Sequence, residues 1–188
     1  MSGGIPLRIK VSRNALITQD IINETYLPIQ LTGKYASQVK GILYESDKEF
    51  IPPLSARHGT TEEHLDEDTG SGIPMDYLDV MLKQQFILAL DHRKVIGFVS
   101  YIPDSSALGC QCVYISTGIV KPEYRNKKVT EEMLRALFWL YEDETFITRT
   151  WSTNRACISL LEKTGFELLK TVSDDRGEGI DTLYYKRI

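Results

Sequence analysis

Two stretches of the chain carry residue types at spacings that could do chemistry. Residues 119–134, IVKPEYRNKKVTEEML, run from a strand end through a basic turn into a helix start. The first turn of a helix leaves backbone N–H groups unpaired and carries a partial positive charge, a combination that binds phosphate. Arg125, Lys127 and Lys128 add positive charge to that turn. An ordinary basic strand-to-helix loop has the same composition, so the segment alone leaves both readings open. The second stretch, NRACISLLEKTGFE (154–167), opens on Asn154, which suits a helix N-cap, and stops at Gly165, which suits a C′ position.

Acid–base candidates are sparser. Tyr114, Ser116 and Thr117 lie along one strand, and Tyr114 is the first to test because a phenol both donates and accepts. Packing is the commoner role of a strand tyrosine. Glu45 and Glu49 flank the end of a helical stretch, and each reads first as a solvated acid; Phe50, Pro52 and Pro53 beside them form a wall or a core cap. The run Glu62, Glu63, His64, Leu65, Asp66, Glu67, Asp68 reads as a solvated loop or as a collar that attracts a cation. His58, His64 and His92 are far apart, and Cys110 and Cys112 have no second ligand pair, so no metal site is expected.

The elements that must position these residues fit one domain. The chain has 188 residues, 42% hydrophobic and 26% charged, enough apolar material for a core and too much for intrinsic disorder. Lys plus Arg number 22 against 26 Asp plus Glu, a net charge of −4, which is not the footprint of a nucleic-acid binder. Apolar runs such as FILAL (86–90) are too short to span a bilayer. The opening MSGGIPLRIK lacks the charged-then-apolar pattern of a secretory signal. Three cysteines make no disulfide framework. A cytoplasmic protein is expected, without nucleic-acid or membrane partners.

Residues 85–102 read as a hairpin around Asp91, His92, Arg93 and Lys94, with Pro103 to Ser106 ending its second strand. Residues 110–120 are apolar on both faces and read as a central strand. Met133, Leu134, Leu137, Phe138 and Tyr141 recur at helical spacing from Val129 to about Glu142, with Thr130 at the N-cap or in the first turn. TFITRTW (145–151) reads as a strand, 154–163 as a helix, and FELLKTV and DTLYYKR as a closing hairpin. In the front half, Leu7, Ile9 and Val11 alternate like a strand. Ala36, Val39, Ile42 and Leu43 share a helix face, as do Leu78, Met81 and Leu82; a long loop over 49–74 lies between. Strands alternating with helices, plus hairpins at two places, give an α/β (α+β mixed) fold with a mixed sheet covered by helices.

VKPEYRNKKVTEEML and NRACISLLEKTGFE resemble the two motifs of the GNAT superfamily of acyl-CoA-dependent N-acetyltransferases. The first motif follows a V-x-P strand end and has an Arg or Gln, two residues, a Gly, one residue, then Gly or Ala; here it reads Arg125-x-x-Lys128-x-Thr130. The second is an Asn-led helix ending in Gly-Phe. The hairpin with IGFV (96–99) and the closing hairpin are similar to the family as well. Residues 85–188 carry the likeness; 1–84 match in coarse element order.

The resemblance implies one GNAT-like domain over 1–188 with a central mixed, splayed β-sheet flanked by helices. Residues 85–188 would be the cofactor-binding core and 1–84 the variable acceptor-side half. It implies acetyl-CoA as cosubstrate, its pantetheine on the backbone of Ile119 and Val120. The pyrophosphate would rest on the N–H groups of Asn126, Lys127, Lys128, Val129 and Thr130, with Arg125 opening the turn and Asn154 holding the cofactor arm. It also implies direct attack by an amine acceptor, a small molecule or a protein, in a ternary complex. Tyr114 and Glu45 are then the candidates for acid and base. Oligomeric state is open, a homodimer among the options.

Two positions depart from the family pattern. Lys128 stands where the phosphate turn has glycine, and Leu161 stands where many members have a tyrosine that protonates the leaving thiolate. A CoA-binding or regulatory module without turnover is therefore a second expectation. Residues 1–90 hold 8 basic and 12 acidic side chains, whereas 91–188 hold 14 of each. The acidic half is the acceptor-side half, which suits a cationic acceptor.

Overall fold

The computed structural model describes residues 24–26, 31, 33–54 and 81–188. The expected strand at Leu7 to Val11, the acidic run 62–68, and most of the helix around Leu78 lie outside the described residues. Seven strands form one sheet: β1 (Glu24–Tyr26), β2 (Gln85–Asp91), β3 (Lys94–Ser105), β4 (Cys112–Val120), β5 (Phe146–Trp151), β6 (Glu167–Val172) and β7 (Thr182–Arg187). Their order is β1-β2-β3-β4-β5-β7-β6. Every neighbouring pair is antiparallel except β4 and β5, which run parallel. β1, three residues long, is a strand the sequence pattern did not signal.

Side-chain alternation puts helices on both faces. On one face, Val39, Ile42 and Leu43 of α1 (Gly33–Ser46) pack on Phe86, Leu88, Leu90 and Phe98. On the other, Met133, Leu134 and Leu137 of α2 (Val129–Leu140) and Leu161 of α3 (Arg155–Lys163) pack on Ile87, Val99, Ile115 and Phe146. β4 is fourth of seven and buried along most of its length, as its two apolar faces require. Cys112 is buried, and Cys110 packs beside it with Tyr114 and Ile147.

Local sequence explains where the elements stop. α3 ends in a Schellman motif: Gly165 has φ +86°, its N–H bonds Glu162 O, and Phe166 N–H bonds Leu161 O. Phe166 and Leu161 then share the core. Two expectations need correction. α2 stops at Leu140 rather than about Glu142; its N-cap is Lys128, and Thr130 stands in the first turn, one of the two places expected of it. β3 does not end before Pro103 but continues to Ser105, because an irregularity between Ile102 and Ser105, with Asp104 at φ +55°, lets the strand pass a residue that has no N–H to offer.

Gly97 brings β3 and β4 together: a Cβ there would stand 2.8 Å from Ile119 O and 3.1 Å from Val120 Cα. Both contacts are backbone, so a methyl must push the strand that carries the cavity described below. Gly97→Ala should destabilise the protein by about 1–3 kcal/mol, as overpacking does, read as a lower urea midpoint at unchanged m-value.

Candidate functional site

The site begins where the parallel ladder stops. β4 and β5 pair at Val113–Phe146, Tyr114–Ile147 and Ile115–Thr148 and nowhere beyond, although β4 runs on to Val120 and β5 to Trp151. Thr148 Oγ1 donates to Ile115 O at 2.9 Å and closes the ladder. On the other side of β4 the register with β3 jumps from Thr117 to Ile115, which makes Ser116 the extra residue of a bulge. Ser116 therefore has no register partner on either neighbouring strand. Between the diverging strands lies a cavity of about 550 Å³.

The basic turn forms one end of this cavity. Pro122 opens a 3-10 turn, Pro122–Tyr124, that closes β4. Tyr124 Oη donates to Asp91 Oδ2 at 2.8 Å, and Arg125 Nε donates to Val120 O at 2.9 Å, which fix the turn to the sheet. Asn126 and Lys128 both have φ of +61°, and α2 starts at Val129. Among the described residues no acceptor meets the backbone N–H groups from Asn126 to Glu131. This row of open donors at a helix N-terminus fits an anionic phosphate.

The opposite wall is β5 and α3. Asn154 caps α3 by accepting from Cys157 N–H at 3.2 Å. Cys157, Leu161 and Thr150 line the cavity there. Burial pushes the Cys157 thiol up, with the Thr150 hydroxyl acting against the shift. Thr150 is only 2% exposed, yet its Oγ1 has no hydrogen bond of ordinary geometry among the described residues.

A third wall comes from the front half. After α1, Asp47–Glu49 form a 3-10 turn, and contacts of three kinds hold the segment to the rest. Glu49 pairs with Arg125 Nη2 at 2.8 Å, Phe50 lies against Trp151 with ring centroids 5.7 Å apart, and Arg176 Nη1 donates to Ile51 O at 2.6 Å. Arg176 also stands 5.5 Å from the Trp151 ring centroid, within cation–π range.

Of the residues expected to hold a cofactor, Ile119, Val120, Arg125, Asn126, Lys128, Val129, Thr130 and Asn154 all line the cavity. Lys127 sits in the same turn with Nζ 5.3 Å from the Tyr124 ring centroid, outside the lining. The two acid–base candidates are not brought there. Tyr114 is buried with Cys112 and Ile147 in a separate cluster, and Glu45 is exposed on α1; neither lines the cavity. Thr148, Arg149, Thr150 and Trp151 are among the lining residues that sequence reasoning missed. The alternation in TFITRTW would have placed Thr148 and Thr150 on one face, but nothing local says that this face looks into a gap.

Glu131, the third residue of α2, is buried between two cations. Arg135 Nη2 reaches it at 2.7 Å and Lys163 Nζ at 2.6 Å, so the pair ties α2 to α3. The Lys163 hydrogen bond holds its carboxyl below the usual carboxylate range. Among the described residues no group of three or more His, Cys, Asp or Glu could hold a metal ion, and no helix is long and apolar enough to cross a membrane.

Comparison with known proteins assigns this arrangement. The model of the Acetyltransferase (GNAT) family matches residues 55–166, more than half of the sequence, and the chain belongs to that family. A protein from Pyrococcus horikoshii superposes with a TM-score of 0.60 at 18% identity, covering 87% of this chain and 98% of its own. An aminoglycoside 6′-N-acetyltransferase complexed with coenzyme A gives 0.58 at 12% identity, covering 83% and 91%. A chain of the NatC complex, bound to Gag peptide and CoA, gives 0.59 at 14% identity, covering 87% and 97%. At these identities the likeness is one of fold. No curated protein matches the sequence.

Two outcomes follow from the cavity wall. Thr150→Val removes a buried hydroxyl whose one neighbour of note is the weakly accepting Cys157 thiol and keeps the shape, so the free protein should melt higher than wild type; a lower melting temperature would mean that the hydroxyl is satisfied in solution. Glu131→Gln should melt lower at neutral pH. Because the folded carboxyl titrates below its unfolded value, this contribution is complete above the unfolded pKa of about 4.3 and is lost as pH falls through the folded value. The gap between variant and wild type should therefore narrow between pH 7 and pH 3, and a gap constant with pH would exclude the ion pair as its source.

Proposed function

We propose that the chain transfers an acetyl group from acetyl-CoA to a primary amine, with the amine attacking the thioester directly in a ternary complex. The observation that carries this reading is the single cavity that joins the splayed β4–β5 gap to the open N–H row at the start of α2. The turn from Arg125 to Thr130 would hold the pyrophosphate, and the free edge of β4 at Ile119 and Val120 the pantetheine amides. Asn154 would steady the arm. Acetyl-CoA supplies an activated acyl group on a thiolate leaving group.

The chain's own residues would do the rest. An alkylamine has a pKa of about 10.4 and arrives protonated, so a proton must leave before attack. Ser116, which has no register partner on β3 or β5, is the residue suited to offer an N–H to the developing oxyanion. The solved structures of similar fold act on or bind an aminoglycoside or a peptide, which supports an amine acceptor and leaves its size open.

A second reading has its own observation. Leu161 is 4% exposed and lines the cavity where many family members have a proton-donating phenol. A module that binds CoA without turnover would look the same. The test is one experiment with two readouts: the melting temperature with acetyl-CoA, and release of free CoA thiol across a panel of peptides, polyamines and aminoglycosides. A shift with thiol release is expected. A shift without release on any amine selects the binding module, and no shift with any acyl-CoA overturns both.

A further inference from the structure

Arg125 spends most of its hydrogen bonds outside its own turn. Nε donates to Val120 O at 2.9 Å, and Nη2 donates to both carboxylate oxygens of Glu49 at 3.0 and 2.8 Å. Arg125 opens the cofactor half's basic turn, while Glu49 closes the 3-10 turn after α1, 76 positions earlier. Two described carboxylates line the cavity, and their situations differ. Glu131 is buried under Arg135 and Lys163, whereas the Glu49 side chain is 48% exposed and pairs, among the described residues, with Arg125.

The same guanidinium thus faces a carboxylate from one half of the chain and heads a turn shaped for an anion. We propose that Glu49 and the cofactor's phosphate compete for Arg125, so that filling the turn frees Glu49 to take the ammonium of the acceptor. This rests on the acetyl-transfer reading above. The energetics favour exchange: an exposed ion pair is weak, whereas a pyrophosphate brings two charges and a bidentate match to the guanidinium fork. The Nε bond to Val120 O keeps Arg125 seated while Nη2 changes partner.

The consequence is a partner for the acceptor's charge on the front-half wall of the cavity. The acceptor is a primary ammonium, recognised by Glu49 next to the aromatic pair Phe50 and Trp151. Before the cofactor arrives Glu49 is neutralised and the cation has no partner there. After it arrives, the carboxylate is available on the acceptor side of the gap.

The test is a double-mutant cycle on CoA binding, measured by calorimetry at low salt on wild type, Glu49→Gln, Arg125→Gln and the double variant, with melting temperatures to confirm that each folds. Glu49→Gln should bind CoA about 2- to 5-fold more tightly, the factor corresponding to the release of one exposed ion pair. Arg125→Gln should bind more weakly, and adding Glu49→Gln to it should change nothing further. An equal gain in both backgrounds would show plain charge repulsion and overturn the competition. So would unchanged or weaker binding by Glu49→Gln. Wild type that binds no CoA at all overturns the acetyl-transfer reading itself, and the competition with it.

Discussion

One hydrogen bond stands at the point on which the rest of the site depends. Thr148 Oγ1 takes the carbonyl of Ile115, the acceptor at which the β4–β5 ladder ends. Unpaired backbone in a sheet interior is costly, and a hydroxyl that satisfies the last carbonyl lets two neighbouring strands part without leaving it orphaned. Everything beyond that bond follows from the parting. β4 leads into α2 and β5 into α3, so both helices start at the carboxyl ends of parallel strands, and ligands bind in α/β sheets at such places. Two positive helix ends then flank one gap.

The gap is closed on its third side by a segment from the other half of the chain, and three of the contacts that hold it differ in kind. Phe50 on Trp151 is an apolar contact, Arg176 to Ile51 O is a hydrogen bond to backbone, and Glu49 to Arg125 is an ion pair. The first two fix position whatever occupies the cavity. The third is sensitive to an arriving anion, because its cation is shared with the phosphate turn. The acidic half therefore meets the neutral half at a point where charge matters, through Glu49 among the described residues.

The fold's back half was legible because its signals are local. Helical spacing in α2, the Asn154 cap, the Gly165 stop and the two hairpins are each contained within about a dozen residues, and the two motifs that name the family sit on them. β1 was not legible: a three-residue strand has no periodicity to read. The site was legible as a turn and a helix start but not as a cavity. That Thr150 faces a gap, that Glu49 meets Arg125, and that Tyr114 turns away from the cavity all depend on which strand neighbours which and where a bulge falls. A bulge at Ser116 is one extra residue, and no residue type at that position announces it. It also changes which side chains of β4 face the gap, since alternation is interrupted there. Glu45 shows the same limit: it lies four residues before Glu49, but the chain leaves the helix after Ser46, so only the later acid reaches the cavity.

Lys128 shows how the family's shape survives without the family's residue. Glycine occupies a left-handed position freely, whereas a residue with a Cβ pays of the order of 1–2 kcal/mol there. Lys128 adopts φ +61°, and so does Asn126, a residue type that tolerates it better. Two such residues within three positions hold this shape only if their surroundings impose it. Those surroundings are visible: Tyr124 is tied to Asp91, Arg125 is tied to Val120 O and Glu49, and Val129 is buried as the first residue of α2. The turn is pinned at both ends, and the left-handed residues are what remains to join them. Asn126, Lys128, Val129 and Thr130 line the cavity, and Lys128 itself is exposed. A lysine there thus gives up the conformational ease of glycine and adds a positive charge beside the donors, which suits an anion whose charge exceeds what the helix end alone can offset.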